Sequence, residues 1–535
     1  MRIVSAVVLW LLWGVSTPRM SAAASPHQQT LAQGVEAIGF ADRYRSANCG
    51  WVTAQDETLL IDLSRGVAPA DFLKSVADAT GRPARAMVLT HATPEDVGLV
   101  KEYLTKGIKT IYLSPRTYQS LMGSAHASDK DAPSRLPTSV CIKIDKPMKF
   151  GDDERQITLL PLDDISSQGA AAVYVSEPVK VLFAGPLVYH GPKAPLAGTD
   201  TQQWMATLER LETELSPTHV VPGFGSWGGG ERLHRQRKFL GELRRQVAYF
   251  VAQGRPLEDL ASAISIPADY LVWMPYDTPV AEDLNHVYAE LTVPHAPFSG
   301  KPPEPDSQPP HALVLIGDQP HEPGHIEAGL RPVFKATGVV PHFAVDVRAV
   351  SAENLAHVRL LVILRDGLQR PKPNPESNFV WMTPEQERAV VDFVERGGGF
   401  LNLHNSMGLY PDNGPYLKLV GGRYIGHGPL ERFRVEVVDR QHPVTQGVED
   451  FSVADEQHTP PYDESKVHLL LRNRSDDGQT AAAGWAYEPG QGRLCHLANG
   501  HTREALEHPM YQRLLQNATR WCLRMPPIEP NQASQ

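Results

Sequence analysis

The chain has 535 residues, 41% of them hydrophobic, and a formal net charge of -10 at pH 7. That length exceeds what one ordinary core organises, so two domains are expected. The acidic balance offers none of the basic surface that nucleic acid demands, which excludes that class of partner.

At the amino terminus Arg2 precedes an apolar run over residues 3–15, and Ala22, Ala23 and Ala24 supply small side chains at the spacing a signal peptidase reads. Residues 1–24 are therefore expected to be a signal peptide, and the protein to be periplasmic or secreted. The run is shorter than the roughly 20 residues a span needs, so no stable membrane span is expected after cleavage. The cysteines Cys49, Cys141, Cys495 and Cys522 form no C-x-x-C pair. In a chain this long they read as free thiols rather than a disulfide framework.

Residues 30–293 alternate strands and helices. Residues 51–53 and 58–62 read as a hairpin, 71–79 as a helix and 86–90 as a buried strand. The loop after that strand carries Thr90, His91, Thr93, Glu95, Asp96 and Gly98. With the stretches 169–175, 181–185, 220–223 and 285–291 following in order, this resembles the metallo-β-lactamase fold, an αββα sandwich. The signature loop of that family, T-H-x-H-x-D-H-x-G, follows such a strand. The resemblance implies a two-metal hydrolase site, in which imidazoles and carboxylates hold metals that activate a water. The ligand positions disagree: His91 is kept, but Thr93, Glu95, Asp96, Ser166, Pro186 and Phe224 stand at the others. Proline and phenylalanine cannot bind a metal, which argues against a di-zinc centre. His91, Glu95 and Asp96 are left as a vestigial set for one cation.

Residues 294–310 hold seven prolines among seventeen residues and read as a semi-rigid linker. From residue 311 the chain restarts. Residues 311–318 read as a strand, the loop after it carries His321 and His325, a helix runs to about residue 336, and residues 343–347 and 358–366 read as strands. Thr383 then offers an N-cap, Pro384 the first helical position and Gln386 a capping-box partner. Val390, Val391, Phe393 and Val394 make an apolar stripe, and Gly397 suits a left-handed helix end. The stretch 397–406, GGGFLNLHNS, then gives a short buried strand with His404 where it stops. This order implies a doubly wound, flavodoxin-like sheet, whose ligands gather beyond the carboxyl ends of the strands.

The motifs at 420–427, 439–447, 454–457, 484–485, 490–493 and 499–501, with His508-Pro509 and Arg520-Trp521 at the end, resemble the ThuA-like (trehalose utilisation) family. The resemblance covers residues 311–526 and leaves 527–535 as a disordered tail. It implies a class I glutamine-amidotransferase-like fold and a link to disaccharides and their 3-keto derivatives. Thiol chemistry is not expected, because His404 occupies the region where amidotransferases carry cysteine. His404, His427, Glu456 and His501 are the catalytic candidates. They offer a base, an acid and, through three imidazoles with a carboxylate, ligands for a divalent metal in this domain. His321, His325, Asp366, Asn405 and Asp455 are the substrate-binding candidates. The sequence thus reads as an exported carbohydrate-processing protein with lyase- or hydrolase-type chemistry and a pseudo-metallohydrolase first domain. The partner is a small-molecule carbohydrate, and nothing sets an oligomeric state. A non-catalytic envelope sugar-binding protein and a residual hydrolase in the first domain stand as alternatives.

Overall fold

The computed structural model describes residues 27–39, 47–54, 57–123, 136–151, 154–166, 168–191, 194–265, 280–292, 297–298, 301–371 and 378–527. The expected signal peptide, the expected tail from residue 528 and parts of the linker lie outside these residues. Among the described residues no helix is long and apolar enough to cross a membrane, and the four cysteines are free.

Two compact units form. One holds Gly198–Arg237 and the described residues before Pro195; the other holds Pro195–Ala197 and the described residues from Lys238 on. The division therefore falls inside the helix Glu231–Ala252, not at the proline-rich linker. The cause is local: the carboxyl half of that helix bonds to residues of the second unit. Arg245 pairs with Glu322, the Tyr249 hydroxyl donates to the Gln319 carbonyl at 2.8 Å, and the Ala252 carbonyl accepts from Arg365 at 3.4 Å.

The first unit contains two sheets. The larger runs in chain order through β1 (His27–Ala32), β2 (Val35–Gly39), β3 (Cys49–Ala54), β4 (Glu57–Ile61), β5 (Ala86–Leu89), β6 (Thr110–Leu113) and β7 (Cys141–Lys143). The smaller joins β8 (Met148–Gly151), β9 (Gln156–Pro161), β10 (Ala171–Val175), β11 (Val181–His190) and β12 (His219–Gly225). Val52, Ile61 and Val88 from one sheet share a core with Ile157, Val173, Val181 and Phe183 from the other. The outer face of the larger sheet packs Trp51, Met87 and Ile111 against Phe72, Val76, Val100 and Tyr103 of its helices. Strand periodicity of two accounts for this: alternate residues supply the two cores, giving the αββα layering.

The second unit carries a nine-stranded sheet. Its strands are β13 (His311–Ile316), β14 (Val340–Ala344), β15 (Leu360–Leu364), β18 (Gly399–Leu403), β19 (His427–Val437), β20 (Phe451–His458), β21 (His468–Arg474), β22 (Thr480–Tyr487) and β23 (Arg493–Leu497). A separate two-stranded hairpin, β16 (Leu368–Gln369) with β17 (Phe379–Val380), lies between β15 and β18 in the chain. The order is β14-β13-β15-β18-β23-β22-β21-β19-β20. The first five strands are parallel and follow the flavodoxin-like order 2-1-3-4-5. An antiparallel wing extends them. β15 and β18 are buried along their whole length, as strands covered on both faces must be.

The expected helix start at Thr383 is present. Its side chain caps Gln386 in a capping box, with Pro384 in the first turn. At the other end Gly397 has φ +116°, and the N–H groups of Gly397 and Gly398 donate to the Val394 and Phe393 carbonyls at 2.9 and 3.0 Å. This double closure ends the helix and turns the chain directly into β18.

Candidate active site

Four of the parallel strands deliver side chains beyond their carboxyl ends. β13 leads to Asp318 and His321, β15 to Arg365 and Asp366, β18 to His404, Asn405 and Ser406, and β23 to Asn499 and His501. Glu456 comes from β20, the far edge of the wing. The buried Asp455 explains how it arrives, because its carboxylate accepts the N–H groups of Gly500, His501 and Thr502 at 2.7, 3.1 and 3.1 Å. That clasp fastens the edge strand to the loop after β23 and sets Glu456 over the strand ends.

His321, His404, His501 and Glu456 each place one donor atom within 4.8 Å of all the others. His321 Nε2 lies 3.1 Å from His404 Nε2 and 3.0 Å from His501 Nδ1. The same Glu456 oxygen, Oε2, is 3.4 Å from His501 Nδ1 and 3.6 Å from His404 Nε2. Partners on the far side of the rings fix two tautomers. His321 Nδ1–H donates to Asp318 Oδ1 at 2.6 Å, and His404 Nδ1–H donates to the Ala498 carbonyl at 2.9 Å. With both rings neutral, the two Nε2 lone pairs face each other at contact distance. A divalent cation relieves that opposition, and a carboxylate or carbonyl behind each imidazole is the usual support for a metal-binding histidine. Three imidazoles and a carboxylate suit zinc or a neighbouring first-row metal.

The electrostatics favour neutral forms of His404 and His501 and an ionised Glu456. Burial, with the neighbouring His458, pushes His404 down to about 3. His501 is lowered by burial and by His321. Burial opposes ionisation of Glu456, but its contacts with His404 and His458 and the nearness of His501 hold its carboxyl far below the usual range. Asp318 is likewise buried and is held low by its bond to His321.

Two further histidines flank the quartet. His427 Nε2 is 3.7 Å from Glu456, and its Nδ1–H donates to the Gly428 carbonyl at 2.6 Å. His458 is buried, stacks on His404 with centroids 4.3 Å apart and has no hydrogen-bond partner on either ring nitrogen. Sequence reasoning passed over His458 and Asp318. The available signals were spacings: His458 lies two residues beyond Glu456 on one strand, hence on the same face, and Asp318 ends the strand before His321.

The structure sorts the other candidates. His321, expected to bind substrate, stands among the four converging donors, whereas His427, expected to join them, stays just outside. His325 lies half-buried in the first turn of the helix Pro323–Thr337 with its Nε2 unpartnered. Asn405 Nδ2 donates to Asp318 at 3.1 Å, and its buried Oδ1 has no partner. Asp366 is occupied by Arg370 at 2.5 Å and by the Leu368 N–H at 3.0 Å, so it stabilises the loop rather than facing a ligand. Asp455 is spent on the backbone clasp.

In the first unit the set His91, Glu95 and Asp96 does not converge on a cation. Asp96 is buried, pairs with Arg65 at 2.7 Å and accepts the Thr93 N–H at 2.9 Å, while Glu95 is exposed. The His91 ring faces Phe224 at 5.8 Å, and Phe224 stacks on Tyr189 at 5.3 Å. Aromatic side chains thus occupy the end of β12 where a ligand would be needed.

Fold and site together define a two-domain α/β protein with a histidine-rich centre at the strand ends of its second unit. Residues 311–522 match the family model ThuA, described as trehalose utilisation. The chain is similar to a metallo-β-lactamase from Pontibacter korlensis, with 18% identity over 40% of this chain and 99% of that one and a TM-score of 0.33. It is also similar to putative ThuA-like proteins from Bacteroides uniformis and Parabacteroides merdae. The first shows 21% identity over 42% of this chain and 94% of that one, at a TM-score of 0.32. The second shows 15% identity over the same shares, at 0.35. No curated protein matches the chain.

Proposed function

We propose that the ThuA domain is a metal-dependent enzyme that acts on a disaccharide or keto-sugar by lyase- or hydrolase-type chemistry, in an exported chain whose first domain keeps a hydrolase fold without its metal site. The description of the matched family supports the substrate class. One observation carries the mechanism: four donors meet within 4.8 Å, two of them with lone pairs forced inward by Asp318 and the Ala498 carbonyl.

The metal would supply a Lewis acid for the sugar carbonyl. His427, partly exposed and with Nε2 free of its own backbone bond, is placed to take the proton from the carbon next to that carbonyl. The electron pair forms a carbon–carbon double bond as the glycosidic carbon–oxygen bond breaks. The leaving oxygen takes up a proton, and water then adds across the double bond to give the free keto-sugar. Glu456, itself one of the four donors and 3.7 Å from His427, holds its negative charge beside that ring.

Turnover of 3-keto disaccharides by the metal-loaded chain tests this reading. Loss of turnover in His404→Ala and in Glu456→Ala is expected; unchanged turnover in both would remove the site assignment. Sugar binding without turnover would favour the envelope sugar-binding alternative. Export rests on Arg2, the apolar run and Ala22 to Ala24, and cell fractionation with sequencing of the mature amino terminus checks it.

A further inference from the structure

The surface beside the four donors is apolar where a second sugar ring would need polar partners. Among the described residues eight large hydrophobic side chains stand exposed, and three of them, Leu409, Ile425 and Leu430, follow His404 or flank His427 in the chain. Leu430 is the cross-strand partner of Glu456, and His427 that of His458. Cross-strand partners share a face and alternate residues of a strand do too, so Leu430, Glu456, His458 and His427 stand on one side of the β19–β20 ribbon. Leu430 is 59% exposed there. Tyr424 continues the surface, its ring centroid 5.0 Å from that of His458 and 6.1 Å from that of His427. The Tyr424 N–H donates to the Met407 carbonyl at 3.3 Å, which brings the Leu409 segment alongside. The nearby cations are engaged: Arg432 pairs with Glu504 at 2.7 Å and Arg423 with Asp412 at 3.8 Å.

We propose that the group released from the sugar is an apolar aglycone, aryl or alkyl, which lies over Leu430 and Tyr424 while the sugar ring faces Glu456 and the metal donors. This rests on the carbohydrate reading above and names the substrate class within it. Hydroxyls of a second hexose pressed against these side chains would lose water without gaining partners, whereas an apolar ring gains from the same burial. A second copy of the chain is the competing occupant of an exposed leucine. The placement of Leu430 directly opposite Glu456 favours a ligand, since a chain seated there would close the site.

The test uses the zinc-loaded full chain and unreactive probes, so that binding is read apart from turnover. Calorimetry with 4-nitrophenyl glucoside and with cellobiose is expected to show the aryl glycoside binding about ten-fold tighter. Leu430→Ser, at an exposed position, should lower the aryl affinity about five-fold, leave cellobiose binding and zinc content unchanged, and be rescued by Leu430→Met. Equal or tighter binding of cellobiose, failure of both probes to bind, or an aryl affinity indifferent to Leu430→Ser would overturn the inference. So would a dimer, seen by light scattering, that Leu430→Ser dissociates without an aryl preference. Aryl preference in a chain that takes up no zinc and turns nothing over would retain the apolar surface and sink the enzyme reading instead.

Discussion

His91 and His404 occupy corresponding places in their own units, each just past the carboxyl end of a buried strand, and only one of them has company. Beyond β5, His91 meets Phe224, and the buried acid below it, Asp62, spends its oxygens on the Thr90 N–H and hydroxyl at 2.7 and 2.6 Å. Beyond β18, His404 meets two imidazoles and a carboxylate, and the buried acid of that site, Asp318, orients His321. The contrast separates two things a fold supplies. Strand ends fix where a side chain is presented, and the residues on neighbouring strand ends decide whether that place does chemistry.

The sharpest way to break this comparison is metal analysis. One equivalent of zinc is expected, with affinity falling more than about a hundred-fold in His404→Ala or His501→Ala and unchanged in His91→Ala. Zinc lost on the His91 substitution would reverse the assignment of the two units. A smaller effect is expected from Asp318→Asn, which leaves every donor in place but weakens the support of His321; a loss of about 10- to 100-fold in zinc affinity is the expected size. An unchanged affinity would mean that Asp318 only holds its loop.

Next comes a pH effect from a histidine outside the donor set. His496 is fully buried, with Nδ1 2.7 Å from Asn402 Oδ1, and burial together with His458 and His404 pushes it down to about 3. Between that value and the ordinary one near 6.5 the unfolded chain binds a proton that the folded chain refuses. Stability is therefore complete above about pH 6.5 and declines as pH falls, by on the order of 2 kcal/mol between about pH 7 and 5. Denaturant titrations of the wild type and His496→Phe at both values measure it, and equal slopes would remove His496 as the cause. The smallest expected effect is in the first unit: Asp96→Ala removes a cap and a partner of Arg65, costing about 1–2 kcal/mol, with zinc content unchanged. A change in zinc content would restore Asp96 as a ligand.

Much of the frame was readable before any coordinates. Thr383, Pro384 and Gln386 announced a helix start through local chemistry, and the apolar runs that became β13, β15 and β18 announced a parallel sheet because only doubly covered strands are apolar throughout. His404, His501 and Glu456 were found as candidates, and they do meet. What local pattern could not give was partnership across the sheet. Which imidazole joins His404, Glu456 and His501 was one such case: His321 completes the four donors and His427 stands beside them. The clasp by Asp455 spans 46 residues of sequence to His501, and no local rule reveals it. The division inside Glu231–Ala252 was not legible for a similar reason: the proline-rich stretch is conspicuous, whereas the bonds from Tyr249 to Gln319 and from Ala252 to Arg365 leave no compositional trace.

His404 itself carries one more consequence. Its backbone sits at φ +50°, in the left-handed region that glycine adopts freely and a histidine only under strain of about 1 kcal/mol or more. Substitution by glycine would relax the turn while deleting the imidazole. Selection for durability and selection for activity therefore pull this position in opposite directions, and a variant that melts later yet has lost its metal would display that conflict at a single residue.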